Sequence, residues 1–113
     1  MTQPLPVVKG VLDMLVLRAL SWSAMHGFEI IEWLERESGG TLPVEDSALY
    51  QALYRMEARG LVRAVWGTTE NNRRARYYEV TAAGAAQLRT ETARWLDYAG
   101  AVTQILTRKP RAS

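Results

Sequence analysis

The 113-residue sequence contains no cysteine and only one histidine, His26. Without cysteine, the chain has no disulfide, no thiolate metal site and no cysteine nucleophile. A single histidine also excludes a multi-histidine metal site within one chain, so we expect no metal and no cofactor. The sequence lacks clustered carboxylates and a glycine-rich phosphate loop as well, and we therefore expect that the protein is not an enzyme.

Long hydrophobic runs are also missing. The most apolar stretch, from Val8 to Leu20, is too short to cross a bilayer. At the N-terminus, no basic segment precedes an apolar stretch, so nothing resembles a secretory signal and we expect a cytoplasmic protein. Apolar residues make up 48% of the chain and charged residues 23%, which is typical of a globular domain.

The excess of positive charge is small and lies at one end of the chain. The formal net charge is +2, and three of the 14 basic side chains (Arg108, Lys109 and Arg111) lie close to the C-terminus. We expect residues 108–113 to form a flexible basic tail and residues 1–7 a flexible arm. Because the rest of the chain has 11 basic and 12 acidic side chains, a nucleic-acid site would have to come from local placement of charge.

Hydrophobic periodicity predicts three helices in the first half of the chain. Their predicted spans are 8–20, 25–38 and 46–60. The first helix is apolar on all sides, so we expect it to be covered by more than its own core. For the third helix, Asp46 or Ser47 is the predicted N-cap, and Gly60 ends the helix.

Leu49, Ala52, Leu53 and Met56 gather on one side of the third helix and are its predicted buried face. The opposite face is polar and aromatic and carries no acid. Its members are Ser47, Tyr50, Gln51 and Tyr54, with Arg55 beside them. A glutamine can make paired hydrogen bonds to adenine in the major groove, and tyrosine hydroxyls can donate to phosphates. Such a face also occurs on ordinary solvated helices, so the helix alone leaves both interpretations open.

A basic β-hairpin follows the third helix, with predicted strands at 61–66 and 77–80. Its returning arm carries three arginines in four residues, Arg73, Arg74 and Arg76, after Asn72 in the turn. Arginines there can neutralise phosphates or enter a narrow minor groove, although charge also protects edge strands from pairing. Three helices followed by such a hairpin predict a mainly α (α+β) winged helix-turn-helix, whose third helix enters the major groove.

The last predicted helix is capped by Thr81, runs to Thr107 and carries a heptad seam. The seam consists of Ala85, Leu88, Thr92, Trp95, Ala99, Val102 and Leu106. Because heptad spacing packs one long helix along another, we predict a homodimer. The predicted interface residues are Leu12, Leu15, Leu88, Trp95, Ala99, Val102 and Leu106. Trp95 either anchors that interface or forms an aromatic wall for a planar ligand.

Several segments make the sequence resemble the PadR-type bacterial transcriptional regulators. They include Lys9-Gly10-Val11-Leu12-Asp13, Met25-His26-Gly27-Phe28-Glu29-Ile30, Ser47-Ala48-Leu49-Tyr50, Gly60-Leu61-Val62 and the stretch from Arg74 to Gly84. The resemblance spans residues 9–106. It implies a winged-helix domain over 1–80 and one C-terminal dimerisation helix over 81–107, in a homodimer that binds a pseudo-palindromic operator as a repressor. In some small members a tryptophan on this helix lines a ligand pore, and Trp95 falls where such a residue would.

We therefore predict a homodimeric transcriptional repressor that binds double-stranded DNA. Its predicted DNA contacts are Lys9, Ser47, Tyr50, Gln51, Tyr54, Arg55, Asn72, Arg73 and Arg74. Two alternatives stay open. One is a sensor that a planar aromatic effector beside Trp95 releases from DNA. The other is a winged-helix protein-interaction module that never binds DNA.

Overall fold

The computed structural model of the chain describes residues 10–111. Within that range the elements are α1 (Val11–Trp22), β1 (Met25–His26), α2 (Gly27–Glu37), α3 (Asp46–Ala58), β2 (Val62–Thr68), β3 (Arg74–Val80) and α4 (Ala82–Leu106). The strands form an antiparallel sheet in the order β1-β3-β2. Three helices, a hairpin and a long final helix make this the predicted α+β winged-helix arrangement.

The first helix begins later than its apolar pattern predicted. Gly10 precedes α1 in the left-handed region, with a φ of 87°, so the backbone is not helical there. Glycine adopts this conformation without steric cost, and it ends any continuous helix through position 10. The predicted start at Val8 and the predicted DNA contact Lys9 lie outside the described residues.

A two-residue strand, β1, replaces the predicted start of the second helix. Met25 pairs with Tyr78 and His26 pairs with Tyr77, so the chain adds a third strand to the hairpin. Helix α2 begins only at Gly27, where His26 and Glu29 form a capping box. The Glu29 backbone N–H donates to His26 Nδ1 (3.3 Å) and the His26 N–H donates to Glu29 Oε1 (3.1 Å).

The predicted cap of α3 is wrong, whereas its predicted buried face is correct. Glu45 occupies the N-cap position without a side-chain cap bond, and Asp46 is already the first helical residue. The buried side chains of α3 are Leu49, Ala52, Leu53 and Met56, each 0% exposed. They fix which side of α3 faces the core.

The hairpin strands are longer than predicted. Seven residue pairs join β2 to β3, from Val62 opposite Val80 to Thr68 opposite Arg74. Pairing extends into the glycine- and threonine-containing segment because a compact turn closes it, with the Thr69 N–H donating to the Arg73 carbonyl (2.8 Å). The extra pairs bring Arg74 into the strand.

Helix α4 packs on the core only at its N-terminal end. Thr81 caps it as predicted, its hydroxyl accepting from the Gly84 N–H (3.1 Å), and Gly84 and Leu88 are buried. The helix then projects away, giving a shape of 66 × 34 × 21 Å and a radius of gyration of 16.8 Å. A compact chain of this length would have a radius of about 13 Å.

Candidate nucleic-acid interface

The acid-free face of α3 is exposed in the fold. Ser47 and Gln51 are exposed, and Tyr50 and Tyr54 expose 38% and 56% of their surface. The two tyrosine rings are neighbours, with centroids 6.5 Å apart. The opposite side of α3 fills the core, so this polar aromatic face is held outward by packing.

Tyr50 also joins α3 to the start of α2. A Cβ atom added at Gly27 would overlap the Tyr50 hydroxyl and lie 2.6 Å from its Cζ atom. The missing side chain at position 27 therefore lets Tyr50 lie against the first turn of α2. We infer that this ring helps fix the angle between the two helices of the helix-turn-helix.

The guanidinium of Arg55 is partly committed to the protein itself. Its Nη2 atom lies 2.8 Å from Oδ1 of Asp13 on α1, and the arginine side chain stays 56% exposed. The sequence placed Arg55 beside the polar face of α3. The structure adds a carboxylate partner from a helix 42 residues earlier in the chain.

Asn72 and Arg73 are exposed at the tip of the hairpin. Asn72 has a φ of 61°, in the left-handed region that asparagine tolerates better than most residues, and its N–H donates to the Thr69 carbonyl (2.9 Å). The Arg73 N–H donates to Thr69 Oγ1 (3.2 Å). These bonds hold the backbone of the tip and leave the Arg73 side chain extended from it.

The three arginines on the returning arm of the hairpin have different surroundings. Arg76 Nη2 lies 2.9 Å from Oε2 of Glu57 on α3, so Arg76 ties the hairpin to that helix. Arg74 stacks over Trp66, with Cζ 4.7 Å from the ring centroid. Within residues 10–111, neither Arg73 nor Arg74 has a carboxylate within 4.0 Å. Two of the three charges are therefore available to an anionic partner.

A cleft of about 350 Å³ separates α3 from the hairpin. Tyr50 and Tyr54 line it from α3, and Trp66 and Arg74 line it from the strands. The predicted polar face of α3 and the basic arm of the hairpin thus face a shared space. The sequence predicted only that Trp66 lies in a strand. Because Val62, Ala64 and Trp66 are spaced two residues apart, the same pattern would also have placed Trp66 on the inner face of the hairpin.

Tyr78 closes the bottom of this cleft and is 1% exposed. Burial raises the pKa of the Tyr78 hydroxyl above its ordinary value of 10.0, and the nearby positive charge of Arg76 opposes that rise. The phenol is therefore neutral at physiological pH. An uncharged ring between α3 and β2 suits its role as a packing residue.

The residues predicted for the dimer interface fall into two groups. Leu88 is 8% exposed and belongs to the core of its own chain, and Leu12, Leu15 and Ala99 are half-buried. Trp95, Val102 and Leu106 expose 39%, 37% and 77% of their surface. The seam did not include three further apolar side chains exposed on α4, namely Leu96, Tyr98 and Ile105.

Trp95 lines a cavity of about 420 Å³ between the start of α1 and the middle of α4. Tyr98 lies beside it, with ring centroids 6.4 Å apart, and Val11 and Met14 complete the apolar wall. Glu91 and Arg94 provide charge at the same cavity. The arrangement can accommodate a flat apolar molecule with polar groups at its edge.

Residues 10–111 contain neither a metal-binding cluster nor a membrane-spanning helix. Within that range, no three histidine, aspartate or glutamate side chains lie close enough together to hold a metal ion. Among the helices of that same range, none combines the length and the apolar character needed to cross a membrane.

A three-helix unit with a basic hairpin and an outward polar helix face defines a winged helix-turn-helix protein of the transcription-regulator class. The family model described as "Transcriptional regulator PadR-like family" matches residues 16–90. The chain therefore belongs to the PadR-like family of transcriptional regulators, as the sequence motifs indicated. Regulators of this family bind DNA.

Solved structures agree with this assignment. A PadR family regulator from Eggerthella lenta is 28% identical, with a TM-score of 0.75 over 89% of this chain and 86% of that one. One from Clostridium difficile is 25% identical, with a TM-score of 0.74 over 86% and 99%. A Streptococcus mutans protein at 23% identity shares the fold, with a TM-score of 0.81 over 96% and 98%.

Proposed function

We propose that the protein is a homodimeric repressor that binds a specific double-stranded DNA operator in the cytoplasm. The observation that carries the proposal is the cleft between α3 and the hairpin. Tyr50 and Tyr54, from the exposed acid-free face of α3, form one wall of it. The guanidinium of Arg74, which has no carboxylate within 4.0 Å among residues 10–111, lines the other. An acid-free polar helix face beside exposed arginines matches the charge and hydrogen-bonding pattern of a DNA surface.

In this proposal α3 enters the major groove and the hairpin lies along the adjacent backbone or minor groove. Ser47, Gln51 and Tyr54 are exposed and reach bases or phosphates, and Tyr50 and Arg55 do so while keeping their contacts to α2 and α1. Asn72, Arg73 and Arg74 bind from the wing, and Lys9 adds a phosphate contact. Two copies place their recognition helices about 34 Å apart, one turn of DNA.

The wing assignment is tested by removing its two unpaired charges. A DNA duplex selected by the wild-type protein from a random-sequence pool serves as the probe, and binding is titrated at several salt concentrations. For Arg73→Ala/Arg74→Ala we expect weaker binding and a slope of log K against log salt that is shallower by roughly 2 per wing, because each phosphate contact releases counterions.

Arg108→Ala/Lys109→Ala is the matched control. It removes the same charge from the far end of α4 and should keep the wild-type affinity and slope. If the wing variant kept both values, the wing would not contact DNA. If the wild-type protein enriched no sequence from the pool, the repressor proposal itself would fail.

The cavity at Trp95 supports a second proposal, that a planar aromatic effector binds there and releases the DNA. Aromatic compounds should quench tryptophan fluorescence and dissociate the complex over the same concentration range. Trp95→Leu keeps the background of Trp22, Trp33 and Trp66 and should lose both responses. DNA release without any change in fluorescence would place the effector elsewhere.

A further inference from the structure

We infer that Trp66 is a positioning residue for DNA binding: its indole holds the Arg74 guanidinium in place before DNA arrives. The inference rests on the proposed function and adds to it a residue that neither the polar helix face nor the arginine cluster includes. The contact is a cation–π stack, with Arg74 Cζ 4.7 Å from the centroid of the Trp66 ring.

The exposure of Trp66 is the first reason. The indole is 58% exposed, an unusual position for the largest apolar side chain, and it is a wall of the cleft rather than part of the core. Its ring therefore contributes little to the fold by burial. The stacked guanidinium is the specific contact that the ring makes on the hairpin.

The strand register is the second reason. Trp66 lies opposite Arg76 and Thr68 lies opposite Arg74, so Trp66 and Arg74 are diagonal neighbours on one face of the β2–β3 ladder. The same face carries buried Tyr78 and the Arg76–Glu57 ion pair to α3. The ladder thus fixes both backbones and directs the stacked pair toward the recognition helix.

The chemistry of the stack is the third reason. A guanidinium that lies over an aromatic ring can turn its flat face to the ring and keep the N–H groups at its edge free for phosphate or base acceptors. A free arginine loses rotamer entropy when DNA immobilises it, and a side chain that is already ordered loses less. Since no carboxylate within residues 10–111 competes for Arg74, the stack orders the side chain without neutralising it.

The test is a double-mutant cycle on the full chain, with the duplex selected from the random-sequence pool as probe. We expect Trp66→Ala to weaken binding by roughly two- to fivefold per wing, the range of an exposed cation–π contact. Trp66→Phe keeps an aromatic face and should recover most of that loss. In the Arg74→Ala background, Trp66→Ala should cost nothing further, because the residue it positions is gone.

Val65→Ala is the matched control, since Val65 is 48% exposed and, as the neighbour of Trp66 on the same strand, pairs with Tyr77 on the opposite face of the sheet. It should bind as the wild type does. Arg74→Lys tests the same Trp66–Arg74 contact and does not require that Trp66→Ala folds. Lysine keeps the charge but not the planar stack, so affinity should fall while the salt slope stays unchanged.

Two results would overturn the inference. One is wild-type affinity in Trp66→Ala or, should that variant not fold, in Arg74→Lys. The other is a cycle in which the two losses multiply, which would mean that Trp66 acts on DNA independently of Arg74. Failure of the wild-type protein to select any DNA is a different outcome, because it removes the proposed function and with it the partner that this stack serves.

Discussion

At the scale of single residues, the fold gives side chains of the same type different contact partners, which the sequence did not predict. Arg55, Arg74 and Arg76 look equivalent in the sequence. In the fold, Arg55 contacts a carboxylate on α1, Arg74 contacts an indole, and Arg76 contacts a carboxylate on α3. In the proposed DNA complex, these partners decide how much of each arginine's charge is left for DNA. Exposed ion pairs of this kind contribute only about 0–1 kcal/mol each, so their main effect is on side-chain direction.

Tyr78 gives a prediction about pH. Burial raises its pKa in the folded chain, so folding favours the neutral phenol. The stability that depends on this neutral group is fully present below pH about 10 and is lost as the pH rises through the higher folded-state pKa. We expect the urea midpoint to fall between pH 9 and 11.5, and to fall less in Tyr78→Phe. If the urea midpoint fell equally with pH in the two proteins, Tyr78 would not be the cause of the loss of stability at alkaline pH.

At the scale of elements, β1 and α4 depend on contacts between distant segments. Strand β1 exists because Met25 and His26 meet β3 some 50 residues later, as their pairing with Tyr78 and Tyr77 shows. Helix α4 is joined to the hairpin at Gly84, where an added Cβ would overlap the Leu61 carbonyl and lie 2.8 Å from Val80 Cγ2. A side chain at position 84 would therefore push the helix away from β2.

Gly84→Ala tests this packing. Alanine favours a helix intrinsically, but here its methyl group meets backbone that cannot move without breaking the strand. We expect a loss of about 1–3 kcal/mol in the free energy of unfolding, measured by urea denaturation. Gly100→Ala, on the same helix with nothing within 4 Å, should instead gain about 0.5–1 kcal/mol. A neutral or stabilising Gly84→Ala would contradict the described contact.

At the scale of the whole molecule, the projecting part of α4 carries an apolar surface that the proposed dimer would cover. Trp95, Leu96, Tyr98, Ile105 and Leu106 are exposed there, and an isolated chain would leave this apolar surface in water. A second copy packed along α4 would bury it. Leu88 contributes less to such an interface than the heptad seam suggested, since the core of its own chain already covers it.

Leu106→Asp tests the dimer without disturbing the chain itself, because Leu106 is 77% exposed. A carboxylate placed in an apolar interface should weaken dimerisation at least about 100-fold, equivalent to ~2.7 kcal/mol, as measured by sedimentation over a range of concentrations. Gln104→Asp adds the same charge on the opposite side of the helix and should remain dimeric. A Leu106→Asp protein as dimeric as the control would exclude the C-terminal end of α4 from the interface.

Sequence patterns were enough to predict the order of the four helices and the two hairpin strands, the buried stripe of α3, the cap of α4 and the acid-free helix face. Each of these depends on spacing within a few residues, which local periodicity reports. Only the tertiary structure decided that β1 is a strand, that Arg55 and Arg76 have carboxylate partners, and that Trp66 lies under Arg74. Those contacts join segments separated by 8 to 53 residues, such as Trp66 with Arg74 and Met25 with Tyr78, and they depend on how the chain folds back on itself. The absence of cysteine excluded thiol chemistry at the outset. The packing then determined which of the arginines have a carboxylate partner.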